Sequence, residues 1–138
     1  MNFRKIFESF NDQDVLIIGD VMIDSYVEGK VNRISPEAPV PILNFTNRED
    51  RLGGAANVAL NVHSLGANPI IGSVIGDDES SSIFLDLLKN EKITSEGIQR
   101  SEERKTTVKT RLIGNNQQMV RIDEEDTHFL SSNEEERF

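Results

Sequence analysis

The stretch RLGGAANVALNVHSLGANPIIGSVIG, from Arg51 to Gly76, opens on Gly53 and Gly54. It then passes through Ala55 and Ala56 to Asn57 and closes on a glycine-punctuated apolar run. Alanine favours helices and glycine opposes them, so a glycine pair at the head of a helix points to a need for bare backbone. Glycine lets a ligand come close to the main chain, and a helix N-terminus offers free N–H groups to it. Upstream, GDVMIDSY sets Asp20 and Asp24 just beyond an apolar run. Each feature also has a plainer reading. The glycines can form a tight turn, the aspartates can close a loop or cap, and Asn57 can stabilise a local turn. GGAAN lacks the G-x-G-x-x-G spacing of a dinucleotide fingerprint. His63 and His128 have no metal-ligand spacing to one another, and the acids of DEED and EEE read as a solvated face rather than a metal site.

The elements that would position these residues alternate along the chain. Residues 3–10 have apolar positions at helical spacing. DVLIIGD (14–20) reads as a buried strand. Residues 25–45 contain Pro36, Pro39 and Pro41, which exclude a helix and disfavour a central strand. That segment is expected as an edge strand or ribbon standing off the core. A helix follows over about 54–65, with Val58, Val62 and Leu65 on one face, and it ends at Gly66. PIIGSVIG (69–76) reads as a second buried strand. Residues 77–91 read as a helix whose first-turn acids suit the macrodipole. Residues 106–123 read as a hairpin around Gly114-Asn115-Asn116. Strand, helix, strand, helix implies a parallel α/β sheet with right-handed crossovers. Ligands bind beyond the carboxyl ends of such strands, where Asp20, Asp24 and Gly53–Asn57 are expected to converge.

Composition narrows the classes further. The 138 residues are 36% hydrophobic and 28% charged, as in a globular domain rather than a disordered chain. There is no cysteine, so no disulfide or thiolate chemistry, which fits a reducing cytosol. Of the net charge of −9, residues 123–138 carry −6. The nearly balanced remainder argues against nucleic-acid binding, and no basic block suggests a membrane surface. The N-terminus intersperses Phe3, Ile6, Phe7 and Phe10 with charges instead of forming a signal-peptide core.

Gly53, Gly54, Ala55, Asn57, Ala59, Gly66 and Gly76 fall without a gap on a long spaced pattern. On that pattern the chain resembles the ribokinase-like (PfkB) sugar kinases. Within that family, GDVMIDSY, RISPEAPVP, GGAANVA, LGAN and NNQQMVRID are most similar to the branch acting on D-glycero-β-D-manno-heptose 7-phosphate. That branch serves lipopolysaccharide-core precursor (ADP-heptose) synthesis and is often fused to an adenylyltransferase. The likeness runs from about Val15 to Asp123.

The resemblance implies the N-terminal half of a doubly wound α/β sheet with a small β lid, drawn from residues 25–45 and part of 106–123. In the family such a lid closes over the sugar and often joins two copies into a homodimer. Asp24 matches the aspartate that holds sugar hydroxyls, and Gly53, Gly54 and Asn57 match the segment lining the sugar pocket. Carboxylate and amide oxygens suit hydroxyl donors. A sugar phosphate also needs cations, and Arg33, Lys109, Arg111 and Arg121 are the bases of the lid and hairpin. The resemblance further implies ATP and Mg²⁺, held mostly by a second half. That half carries a G-A-G-D motif with the base, and no such motif occurs here. Ser131 or Ser132 with Glu134 or Glu135 reads as a capping box opening a helix. The 138 residues are therefore expected to be the inactive sugar-grip part of a longer cytoplasmic kinase. The alternatives are another sugar or nucleoside kinase of the family, or a non-catalytic sugar-binding or dimerisation module.

Overall fold

A computed structural model describes residues 2–138. A short helix, α1 (Phe3–Glu8), precedes β1 (Asp14–Ile18). Two long strands follow, β2 (Val21–Ile34) and β3 (Pro41–Gly54), paired as an antiparallel hairpin. Then come α2 (Ala55–Ser64), β4 (Asn68–Gly76) and α3 (Glu79–Asn90). The chain closes with β5 (Ile98–Ser101), β6 (Val108–Gly114), β7 (Gln117–Glu124) and α4 (Ser132–Arg137).

Two sheets result. β1, β4 and β5 form a parallel sheet in that order, and β3, β2, β6 and β7 form a mixed four-stranded sheet. The parallel sheet with its crossover helices is the expected α/β frame, and the mixed sheet is the expected β layer. Its β6–β7 turn has Asn115 and Asn116 both at positive φ, the geometry that matches strand twist in a two-residue hairpin.

The core forms where the mixed sheet meets the parallel one. Ile71 and Ile75 of β4, Ala56 and Ala59 of α2, and Phe84 and Leu88 of α3 pack with Val21, Ile23, Leu52 and Val108. Each fully buried large apolar side chain here contributes roughly 1.5–3 kcal/mol. The helix ends are built locally. Gly66, at φ +100°, follows α2, and its N–H and that of Ala67 bond back to His63 and Val62, which is a Schellman closure. Asp78 caps α3 by accepting from the Ser81 N–H at 2.8 Å.

Four expectations change. The 25–45 segment is a ribbon whose outer half stands off the core and whose β3 part is an edge, as expected, but its β2 part is an interior strand. Pro36 and Pro39 fall in the turn after it, and Pro41 is the first residue of the edge strand β3, so no ladder bond is lost. β1 is not buried: Leu16 and Ile18 are 62% and 66% exposed, because α2 and α3 pack against the opposite face of the sheet. α2 buries Ala56 and Ala59, whereas Val58 and Leu65 of the expected face are about half exposed (49% and 50%). Alanine lets the helix lie closer to β4 than valine or leucine would. Finally, the α1 helix stops at Glu8 and buries no residue.

Candidate functional site

Register places Asp24, Gly53, Lys109, Arg111 and Arg121 on one side of the mixed sheet. Along β2, Val21, Ile23 and Ser25 are buried, while Met22, Asp24 and Tyr26 alternate onto the other face. Residues directly opposite one another in a ladder share a face. Asp24 lies opposite Arg51 on β3 and Lys109 on β6, and Tyr26 lies opposite Glu49 and Arg111. On β7, Asp123 faces Lys109 and Arg121 faces Arg111. Gly53 sits opposite Met22. A Cβ at Gly53 would meet Met22 Cγ at 2.7 Å and Asp24 Cγ at 3.4 Å, so the absence of a side chain opens space beside the Asp24 carboxylate.

The charges on this face are matched. Arg111 donates through Nη1 to Asp24, both side chains being about one-fifth exposed. Lys109 donates to Asp123 at 3.1 Å and Glu125 at 2.7 Å. Arg121 grips Asp123 with Nε at 2.7 Å and Nη2 at 2.8 Å. The Glu125 bond raises the Lys109 pKa, with Asp123 adding to it. The Asp123 bond raises that of Arg121, and Arg121 and Lys109 hold the Asp123 carboxyl below its ordinary value. Tyr26 lies between two guanidinium groups, Arg51 at 4.7 Å and Arg111 at 5.4 Å from its ring centroid, a cation–π arrangement. Arg51 is fixed in turn by Glu49 at 2.7 and 2.8 Å.

Gly54 and Asn57 occupy the neighbouring helix start. Gly54 precedes α2 at φ +59° and ψ −134°. A Cβ there would strike the Asp20 carbonyl oxygen, which accepts the Ala55 N–H at 2.9 Å. The main chain therefore requires glycine at this position. It also joins the Asp20 segment to the head of α2, the convergence expected from sequence. Asn57 is exposed in the first turn of α2. Arg33 stands apart. It is exposed, nine residues beyond Asp24 on the same strand, roughly 30 Å away at about 3.3 Å per residue.

Sequence reasoning missed Tyr26, Arg51, Glu49 and Asp123 as members of this face. The period-two spacing of Asp24 and Tyr26 was available as a signal. The partners on β3 needed the hairpin register, which the sequence did not supply.

A second feature lies at the carboxyl end of β1, beside the middle of β4. A cavity of about 480 Å³ is lined there by Gly19, Asp20, Ser73, Lys105 and His128, among others. The segment bordering it is tied down by α4. The Glu134 side chain is fully buried and accepts from Arg104 Nε at 2.9 Å and the Ser131 N–H at 2.8 Å. Ser131 completes the expected capping box with Glu134. Hydrogen bonds from Arg104, then Ser101 and Ser131, hold the Glu134 pKa down to about 2. Asp126 accepts the Lys105 N–H at 2.8 Å. Among the described residues, no three His, Asp or Glu side chains gather as a cation site. No helix among them is long and apolar enough to cross a membrane.

The chain is similar to proteins called bifunctional protein HldE. It is 40% identical to the one from Geobacter metallireducens over 136 residues, which is 99% of this chain and 28% of that protein. It is 48% identical to the one from Helicobacter pylori (strain P12) over 111 residues, 80% of this chain and 24% of that protein. The chain thus spans about a quarter of the length of these curated relatives. The fold is similar to that of a Methanocaldococcus jannaschii nucleoside kinase, an archaeal member of the ribokinase family. The TM-score is 0.60 at 21% identity, covering 82% of this chain and 37% of that one. The pfkB family carbohydrate kinase model matches residues 12–137, and the chain belongs to that family.

Proposed function

We propose that this chain is the sugar-holding part of an ATP-dependent kinase that phosphorylates D-glycero-β-D-manno-heptose 7-phosphate. The observation that carries the reading is the face around Asp24. A carboxylate suited to hydroxyl donors stands beside the bare backbone of Gly53, with Lys109, Arg111 and Arg121 on the adjoining strands. A ligand with both hydroxyl and phosphate groups matches that mixture. The resemblance of GDVMIDSY, RISPEAPVP and NNQQMVRID to the heptose 7-phosphate branch of the family supports the choice of a heptose phosphate.

In this reading the mixed sheet is the lid over the sugar. Asp24 orients the sugar through its hydroxyls, Gly53 gives clearance, and guanidinium groups of this face hold the phosphate already present. Gly54 and Asn57 bring the head of α2 to the edge of the same pocket. Phosphoryl transfer then depends chiefly on positioning, with a base drawing the proton from the attacking hydroxyl. In the family resemblance, ATP and Mg²⁺ belong mostly to the second half of the kinase, and in this reading they would be held by residues of a longer chain. Two copies would meet through the lid, an adenylyltransferase would supply the second activity, and the enzyme would work in the cytoplasm.

The test is a phosphoryl-transfer assay on the full-length gene product with ATP–Mg²⁺ and a panel of heptose 7-phosphate, hexoses, hexose phosphates and nucleosides. The highest kcat/KM is expected for heptose 7-phosphate. A clear preference for an unphosphorylated sugar or a nucleoside would overturn the assignment.

A further inference from the structure

We propose that Arg111 and Arg121 together hold the phosphate of the sugar phosphate, and that its arrival exchanges ion pairs so as to release Asp24. The proposal rests on the sugar-phosphate reading above. It chooses among the four available bases and adds an exchange step.

Arg111 and Arg121 are direct cross-strand partners on the Asp24 face. Side chains so placed have Cβ atoms about 5 Å apart, and like charges there destabilise a sheet. The strands nevertheless carry two guanidinium groups at this point, each held by its own carboxylate: Asp24 for Arg111 and Asp123 for Arg121. An anion between the two strands would satisfy both at once, and a phosphate monoester fits guanidinium forks in two-point fashion.

The ion pairs differ in how easily they yield. Arg111 reaches Asp24 through Nη1 alone, and the same nitrogen lies 3.4 Å from the Lys109 carbonyl oxygen. Its other donors face no carboxylate partner among the described residues. Without ligand, the carboxylate expected to take sugar hydroxyls is thus already occupied by Arg111. A phosphate that engages Arg111 frees Asp24 for those hydroxyls, so the two ends of one ligand favour each other's binding. Asp123 can spare Arg121 because Lys109 also holds it, at 3.1 Å. Lys109, bonded to two carboxylates, keeps Asp123 in place and is not the phosphate ligand. Arg33 is too far along β2 to serve the same molecule.

The experiment compares dissociation constants of the full-length gene product for heptose 7-phosphate and for the same heptose without its phosphate, by calorimetry. The wild type is expected to prefer the phosphorylated sugar. Arg111→Gln and Arg121→Gln should each weaken binding of the phosphorylated sugar about tenfold or more. Arg111→Gln should leave the unphosphorylated heptose bound as well as before or better, because Asp24 is unmasked. Lys89→Gln, on α3 and away from this face, should keep the wild-type ratio. The Nε–Hε resonances of Arg111 and Arg121 in the wild type should shift on adding heptose 7-phosphate, a readout independent of whether any variant folds. If the wild type prefers the phosphorylated sugar but both arginine variants keep that preference, or neither resonance moves, the arginine pair is wrong. If the wild type shows no phosphate preference, or binds neither sugar, the sugar-phosphate reading itself fails.

Discussion

Gly54 is the residue whose role the backbone constrains most tightly. Its φ of +59° with ψ −134° and its approach to the Asp20 carbonyl leave no room for a side chain. Such a conformation costs an L-residue about 1–3 kcal/mol. Gly54→Ala should therefore lower stability by that order in urea unfolding, whether or not a sugar is present. A variant as stable as the wild type with sugar affinity lost would show instead that the glycine clears a pocket. Gly53 is different. Its φ is not in the left-handed region, and what an added Cβ would meet is the Met22 side chain and Asp24. The glycine pair read as one unit in the sequence divides into a backbone requirement at Gly54 and an open space at Gly53. Spacing alone carries no φ angle, so the two roles could not be separated there.

Among the elements, α4 and the segment before it depend on one buried ion pair. Glu134 is held at a pKa of about 2 by Arg104, Ser101 and Ser131, below the ordinary glutamate value. A depressed carboxyl contributes stability that is complete above its unfolded pKa and is lost as pH falls through the folded one. Docking of residues 126–138 should thus weaken between about pH 4.5 and 2, read as loss of amide protection in α4. Glu134→Ala should cost this segment about 3 kcal/mol at neutral pH by stranding Arg104, and should flatten the acid dependence. Protection in α4 that is unchanged at pH 3 and in the variant would contradict this. The Ser131–Glu134 box was legible because a cap is a local pattern of residue types. The same was true of the β6–β7 hairpin and of α3, whose cap Asp78 and acid Glu79 stand at its start. β3 was legible only in part. TNREDRL carries charge on both faces, since the outer part of the mixed sheet has no apolar layer on either side, and period-two alternation vanishes. β5, four residues reading IQRS, is too short to show a period at all.

At the level of the whole molecule, the parallel sheet is covered on one face by α2 and α3, while Leu16 and Ile18 stand open on the other. The open face could not be read from composition. DVLII looks like any buried strand, and what covers it is decided by residues distant in the chain. The site divides in a similar way. Asp24, Gly53, Lys109, Arg111 and Arg121 were all legible, and the sheet register brings them to one face. The chain spans about a quarter of its curated relatives. On that coverage, residues 1–138 alone are expected to transfer no phosphoryl group from ATP to heptose 7-phosphate. Turnover by this purified 138-residue protein, free of longer species, would show that the catalytic parts lie within it.

The claim that the sugar is held at Asp24 has a direct measurement. Asp24→Asn, made in the full-length gene product, keeps the size of the side chain and removes its charge. Losing a charged hydrogen bond to a sugar hydroxyl costs about 1.5–3 kcal/mol, roughly a ten- to hundredfold rise in the sugar dissociation constant. Calorimetry with heptose 7-phosphate should show that rise in a protein that remains folded, with ATP affinity close to that of the wild type. A folded Asp24→Asn protein that binds and turns over the sugar phosphate as the wild type does would contradict the placement of the sugar on this face.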